Sequence, residues 1–496
     1  MNDRLTRRGL MAGGFGAFLA GATAPLWAEA PATTPFPRPR PGTTAAPGED
    51  IARLIRDAKL GGATGLILAD AGTGKVLEEY GADLPLPPAS TAKTITALYA
   101  LERLGADHRF VTRVLATGPL VNGQIAGDLI LAGGGDPTLD TDDLGDMAAA
   151  LRAAGVRSVS GRYRAYSGAL PDLPRIAADQ PEQVGYNPGL SGLILNFGRV
   201  YFEWKKAGDG WAISMDARGE RFAPKIDLTR MDLAPRETPL FTYRLRETTE
   251  DWTVAQAALG TEGSRWLPVR RAAPYVAEAF RALCAAQGIA LPRAEPLTAL
   301  PEAARELARH ESEPLDAVLR GMLRWSTNIT AEAVGLAASG AGTLRGSGRA
   351  MSDWAARHLG HPGDFVDHSG LGAATRVTAR GMAEALRQGQ ARTSGHNLAA
   401  ILRDMGMRDG EGRAVENHPV RVRAKTGTLN FVSALTGFIQ PPKGRELAFA
   451  ILSADPDRRA ALPMEDRESP PGGEAWLKRA RKLQGQLLHR WGERYV

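Results

Sequence analysis

"PASTAKTITALYALERLG", residues 88–105, carries a serine, Ser90, and a lysine three places on, Lys93, at the head of an apolar run. Pro87 and Pro88 limit the run on one side and Gly105 on the other, so the stretch predicts a helix that starts around the serine. Positions i and i+3 of a helix share a face, which brings hydroxyl and amine within hydrogen-bond reach. A neutral lysine amine can take the proton of a serine, otherwise a weak nucleophile, provided burial or a second cation lowers its pKa. Alone, the stretch reads more simply as an N-cap serine followed by an exposed lysine.

Two distant segments change that reading. In "LRWSTNITAEA" the triplet Ser326-Thr327-Asn328 falls between two helical periods, where a turn can aim a hydroxyl and an amide into a cleft. In "VRVRAKTGTLNFVSALTGF" Lys425-Thr426-Gly427 sits on a strand with clear alternation. Gly427 would let a ligand backbone approach that strand closely. Lys425 would supply a charge for a carboxylate, and Thr428 a backbone N–H. Each segment alone is weak, a cap or a strand end; the three in this order are a strong signal.

The rest of the chain sets the frame. Its 496 residues exceed one simple domain and suggest two or three. With 43% hydrophobic and 23% charged residues it is globular in composition, and its 57 glycines and 33 prolines announce many turns. Residues 1–30 have Arg4, Arg7 and Arg8, a glycine-diluted apolar stretch and a small-x-small site at Ala28-Glu29-Ala30, the pattern of a twin-arginine export signal. The net charge of +6, or +5 without those thirty residues, comes with no Lys/Arg run. Nucleic acid is therefore not an expected partner, whereas peripheral attraction to an anionic wall polymer or membrane surface is compatible with it. The single cysteine, Cys284, cannot form an intrachain disulfide and reads as a core residue of a helix.

A Pro/Thr-rich linker is expected over 31–49, followed by a helix in "EDIARLIRDAKL" and a hairpin in "TGLILADAGTGKVLEEYG". Its Gly-Thr-Gly-Lys lacks the upstream glycine of a phosphate loop and has Val76 where a magnesium-binding hydroxyl belongs. Gly133-Gly134-Gly135-Asp136-Pro137 likewise reads as a tight turn before a helix. Residues 156 to about 300 look β-rich; the helical period returns after 310, and a last helix spans about Glu474 to Arg494.

Ser90-x-x-Lys93, Ser326-Thr327-Asn328 and Lys425-Thr426-Gly427 resemble the three signature boxes of serine penicillin-recognising enzymes. The separation of 236 positions from Ser90 to Ser326, with "GDLILAGGGDPTL" inside it and "DHSGLGAATRVTA" before the third box, resembles the D-alanyl-D-alanine carboxypeptidase/endopeptidase family of the penicillin-binding protein 4-like class. The resemblance covers roughly residues 50 to 485. It departs from the family at Thr327, where aspartate is usual, and at Gly372, where serine is usual.

The resemblance implies an α/β (α+β) chain with a penicillin-binding, serine β-lactamase-like transpeptidase fold, an antiparallel sheet flanked by helices. The catalytic unit would comprise 50–110 and 307–496, and the inserted β-rich region 111–306, in two subdomains. It implies a periplasmic serine hydrolase acting on peptidoglycan stem peptides ending in D-Ala-D-Ala, inhibited covalently by β-lactams and needing no cofactor. Ser90 would attack with Lys93 as base, and Ser326 would relay a proton to the leaving amine. Asn328 would orient Lys93 and the acyl group. Lys425, Thr426 and Thr428 would hold the terminal carboxylate, with the N–H groups of Ser90 and Thr428 facing the oxyanion. The rivals are a β-lactamase or esterase on the same scaffold, a non-catalytic wall-binding protein, and a zinc peptidase using His358, His361, Asp364, Asp367 and His368. Gly360 and Pro362 break any helix that would align His358 and His361 of that last set.

Overall fold

The first strand of the expected hairpin pairs not only with its neighbour but with the far end of the chain. In the computed structural model, which describes residues 47–392, 398–409, 411 and 413–496, Ala63–Asp70 runs antiparallel to Val76–Tyr80 on one side and to Leu447–Ala454 on the other. The Asp70 carboxylate fastens the intervening turn by accepting the Thr73 N–H at 2.7 Å. The full sheet has six strands, in the order Arg403–Asp404, Arg421–Leu429, Val432–Gln440, Leu447–Ala454, Ala63–Asp70, Val76–Tyr80. The expected export signal and residues 31–46 of the expected linker lie outside the described residues; Pro47 already opens the helix Pro47–Ala58.

Val432–Gln440 and Leu447–Ala454 are buried almost from end to end, without the alternation of a half-solvated strand. Helices covering both faces explain this. Pro47–Ala58 and the final helix Gly473–Tyr495 cover one face with Ile51, Trp476, Leu483, Leu487 and Trp491. The helices Ala92–Leu104, Leu315–Trp325, Asn328–Ser339, Leu344–His358 and Ala379–Arg392 cover the other.

The inserted region has its own five-stranded sheet, in the order Ala294–Leu297, Tyr163–Tyr166, Leu129–Ala132, Val111–Ala116, Arg305–Glu311. Two three-stranded sheets, 199–216 with 262–268 and 229–255, stack their apolar sides into the same core. That core cluster draws on residues from Val114 to Ala308. Arg305–Glu311 pairs along Val111–Ala116, which carries the end of the insert past 306 to Glu311 and sets its two chain crossings side by side. Cys284 is buried on the helix Ala272–Ala286, its thiol pushed up to about 12 by burial.

The glycine-rich turn at 133–137 packs backbone on backbone. A Cβ at Gly133 would lie 2.2 Å from the Gly192 carbonyl oxygen, and one at Gly134 2.3 Å from that of Val111, so no side chain fits. The following helix, Thr141–Ala153, is capped by Asp140, with Asp143 reaching back to complete the box.

Candidate active site

Ser90 lies in a single 3-10 turn, Ala89–Thr91, that runs straight into the helix Ala92–Leu104. It is not the expected N-cap: no side chain caps either element, and the Ser90 hydroxyl accepts from Lys93 Nζ at 2.9 Å instead. Ala89, just before it, holds a left-handed φ of +46°, an unfavourable conformation for an alanine. Two glycines make room for this strained turn. A Cβ on Gly370 would fall 1.9 Å from the Ala89 carbonyl oxygen; one on Gly427 would fall 2.6 Å from that of Pro88 and 3.0 Å from the Ser90 nitrogen. The close approach expected at Gly427 is thus first to the turn that carries Ser90, because strand and turn are packed against each other there.

Lys93 is wholly buried and its amine meets three acceptors: Ser90 Oγ, Asn328 Oδ1 at 2.8 Å and the Ser369 carbonyl at 2.8 Å. Asn328 is held from its other end, where Nδ2 donates to the Tyr186 carbonyl at 2.9 Å. Tyr186 belongs to the inserted region. An irregular stretch of that region packs Leu170, Leu190 and Ile194 against Ile329, Ala333 and Leu336, one side of the helix Asn328–Ser339. The insert therefore fixes both the position of this helix and the orientation of its first side chain.

Ser326 closes the preceding helix, Leu315–Trp325, in the left-handed conformation, φ +59° and ψ +34°. Glycine is the usual residue there, and a side chain costs roughly 1–2 kcal/mol. The strain aims the Ser326 hydroxyl at Lys425, whose Nζ donates to it at 3.0 Å and to the Thr426 carbonyl at 2.7 Å. Thr426 and Thr428 alternate with the buried Lys425 and Gly427 and lie on the exposed face of the strand Arg421–Leu429. On the outer edge of that strand, sheet pairing among the described residues stops at Ala424, which leaves the edge from Lys425 onward open beside Ser90.

Burial, partly opposed by the charges of Glu332 and Asp367, pulls the Lys93 amine down to about 7. Burial also holds Lys425 well below its usual range, reinforced by Lys93 and Arg403. Glu332 and Asp367 are both pushed upward, chiefly by burial. Glu332 was not singled out from the sequence, although its spacing from Asn328, i to i+4 on one helix, placed it on the same face.

Asp367 and His368 have other duties than metal binding. The Asp367 carboxylate accepts the N–H groups of Gly370 and Gly372, and the His368 ring bonds Ser347 Oγ at 2.6 Å through Nε2. His361 and Asp364 are exposed, and among the described residues no group of three or more His, Cys, Asp or Glu is arranged to hold a metal ion.

A helix-covered antiparallel sheet that seats a serine on a buried lysine, with a second lysine one strand away, places the molecule among the penicillin-recognising serine hydrolases. Residues 48–468 match the D-Ala-D-Ala carboxypeptidase 3 (S13) family of peptidases, and the chain belongs to that family. It is similar to the D-alanyl-D-alanine carboxypeptidase of Actinomadura sp. (strain R39), 30% identical over 452 residues that cover 84% of this chain and 82% of the relative. A carboxypeptidase of Mycobacterium tuberculosis is 29% identical over 439 residues, covering 85% of this chain and 82% of its own. In fold it resembles the crystal structure of penicillin-binding protein 4 of Haemophilus influenzae, with a TM-score of 0.71 at 19% identity over 89% of this chain and 99% of that one. The expected architecture, a flanked antiparallel sheet interrupted by a β-rich insertion, is the one observed.

Proposed function

We propose that the chain is a serine D-Ala-D-Ala carboxypeptidase and endopeptidase in which Ser90 is the nucleophile and Lys93 its base. The observation that carries this reading is the set of acceptors around Lys93. The Ser369 carbonyl can only accept, and Asn328 must turn Oδ1 to Lys93 because its Nδ2 faces the Tyr186 carbonyl. As an ammonium, Lys93 donates to all three; once neutral it has two N–H bonds and one lone pair, and with both N–H bonds committed to the acceptors that cannot donate, the lone pair turns to the Ser90 hydroxyl, which becomes the donor. An amine lowered to about 7 is neutral often enough at neutral pH to act from that position.

The Ser90 oxygen attacks the penultimate D-Ala carbonyl as its proton passes to Lys93. The developing oxyanion rests on the N–H groups of Ser90 and Thr428. Ser326 relays a proton to the departing amine, the C–N bond breaks, and water hydrolyses the remaining ester. Lys425, whose two acceptors are neutral, takes the terminal carboxylate of the peptide together with Thr426 and Thr428, while Gly427 keeps the strand close to Ser90. A β-lactam, as a cyclic analogue of the dipeptide, acylates the same serine and keeps its leaving amine tethered.

The substrate class places the reaction outside the cytoplasmic membrane, in the periplasm, reached through the twin-arginine signal expected in residues 1–30. Labelled penicillin should attach to the wild type and not to Ser90→Ala; label on the mutant would overturn the assignment. Parallel incubation with a D-Ala-D-Ala pentapeptide and with cross-linked muropeptide separates the carboxypeptidase from the endopeptidase activity.

A further inference from the structure

We infer that Glu332 is a positioning residue for Lys93, acting through the backbone of the segment 367–372, an inference that rests on Lys93 being the base. Glu332 is fully buried one turn beyond Asn328. Its two carboxylate oxygens accept two consecutive backbone donors, the His368 N–H at 3.0 Å and the Ser369 N–H at 2.9 Å. Ser369 is the residue whose carbonyl takes one of the Lys93 N–H bonds. One helix thus supplies both fixed acceptors of Lys93, directly through Asn328 and indirectly through Glu332.

The segment has little freedom to adjust if that grip is lost. A Cβ at Gly335 would sit 2.1 Å from the His368 ring, one at Gly348 2.7 Å from the Phe365 carbonyl oxygen, and one at Gly370 1.9 Å from that of Ala89. The segment is pressed between two helices and the nucleophile turn, so a rotated Ser369 peptide displaces its carbonyl rather than being absorbed elsewhere. Rotation frees a Lys93 N–H bond, and the lone pair is no longer confined to the Ser90 side.

The charged groups around Glu332 and Lys93 are Asp367, which bonds Gly370 and Gly372, and Lys425 on the neighbouring strand. Asp179 lies beyond Asp367, Arg403 lies beyond Lys425, and the His368 ring is held between Ser347 and Met351. Of the two acids whose charges favour the charged form of Lys93, Glu332 acts more strongly than Asp367.

The test compares Glu332→Gln and Glu332→Asp with the wild type in the full-length enzyme, by penicillin acylation rate, kcat and KM on a D-Ala-D-Ala peptide, and thermal unfolding. The glutamine can accept only one of the two N–H groups and removes the charge. Acylation should slow about tenfold to a hundredfold, with kcat falling and KM nearly constant. The aspartate keeps the acid but shortens the reach, so kcat should fall with KM again nearly constant, and it carries the test alone should the glutamine variant fail to fold. Acylation within about twofold of wild type, or a loss that falls on KM with kcat unchanged, overturns the inference. Both variants should still be labelled at Ser90, so a failure here is distinct from a failure of the nucleophile assignment.

Discussion

Replacing Gly427 with alanine should cripple acylation while leaving the molecule folded. Gly427 has no left-handed φ, so alanine adopts its backbone conformation without strain and the effect is one of contact alone. The added Cβ would stand 2.6 Å from the Pro88 carbonyl oxygen, 3.0 Å from the Ser90 nitrogen and 3.1 Å from the Ala89 Cβ. An ordinary carbon–oxygen contact needs about 3.4 Å, so strand and nucleophile turn must part by roughly 0.8 Å. The fold loses about 1–3 kcal/mol to this overpacking. Function loses more, because the two proposed oxyanion donors, the N–H groups of Ser90 and Thr428, lie on opposite sides of the widened gap. Loss of one such donor costs about a hundredfold to a thousandfold. Acylation by a fluorescent penicillin, followed by stopped flow and normalised to titratable sites, should therefore slow by about a hundredfold. Gly321→Ala is the matched control: it lies on the helix Leu315–Trp325 with nothing within 4 Å of its Cβ, and should acylate as the wild type does. A Gly427→Ala enzyme acylated within about threefold of wild type would refute the argument.

Asn328→Asp replaces a donor facing the Tyr186 carbonyl with a carboxylate and puts a negative charge beside Lys93. The acid limb of penicillin acylation should move up by about one pH unit, and an unmoved limb would contradict the orientation argued for Asn328. His368 is wholly buried, and burial holds its imidazole down to about 3. The unfolded chain binds that proton near 6.5, so this contribution to stability is present above pH 6.5 and lost progressively as pH falls towards 3. The raised carboxyls of Glu332 and Asp367 act in the opposite sense, which makes the comparison with His368→Gln the informative one. The wild type should lose more stability than the variant between pH 7 and pH 4 in urea titrations, and equal losses would remove His368 as the cause.

The three boxes were legible because each is a short run whose residue types and spacing carry chemistry by themselves. The family resemblance they carry then implied the flanked antiparallel sheet and the long insertion. What escaped the sequence depends on contacts between distant segments. The Tyr186 carbonyl is a backbone group, and nothing in the side chain of residue 186 announces it. Gly427 looked like an allowance for ligand because its close neighbours, Pro88 and Ser90, are more than three hundred residues away. Ser90 looked like a cap because local bonding is all that a local window can weigh, whereas the buried amine that claims its hydroxyl is buried only by the assembled core. The histidines and acids of residues 358–368 suggested a ligand set, yet His361 and Asp364 face solvent, Asp367 bonds the segment's own backbone and His368 is held by Ser347. Val432–Gln440 and Leu447–Ala454 lack alternation for a related reason, since one face of the sheet is covered by helices from opposite ends of the chain and the other by helices between residues 92 and 392.

The pairing of Ala63–Asp70 with Leu447–Ala454 also sets a timetable. Thr64 and Ser453, which share a hydrogen bond at 3.0 Å, are 389 residues apart, so at about 5–20 residues per second the ribosome needs roughly 20–80 s to deliver the second after the first. The inserted region is complete well before that, with all five strands of its own sheet synthesised by Glu311. It can fold while Ser90 and Lys93 still wait for the strand that carries Lys425. A chain interrupted before Ala454 therefore holds Ser90 and Lys93 without the full sheet against which they are set, and synthesis must run past that strand before the proposed acyl-enzyme can form.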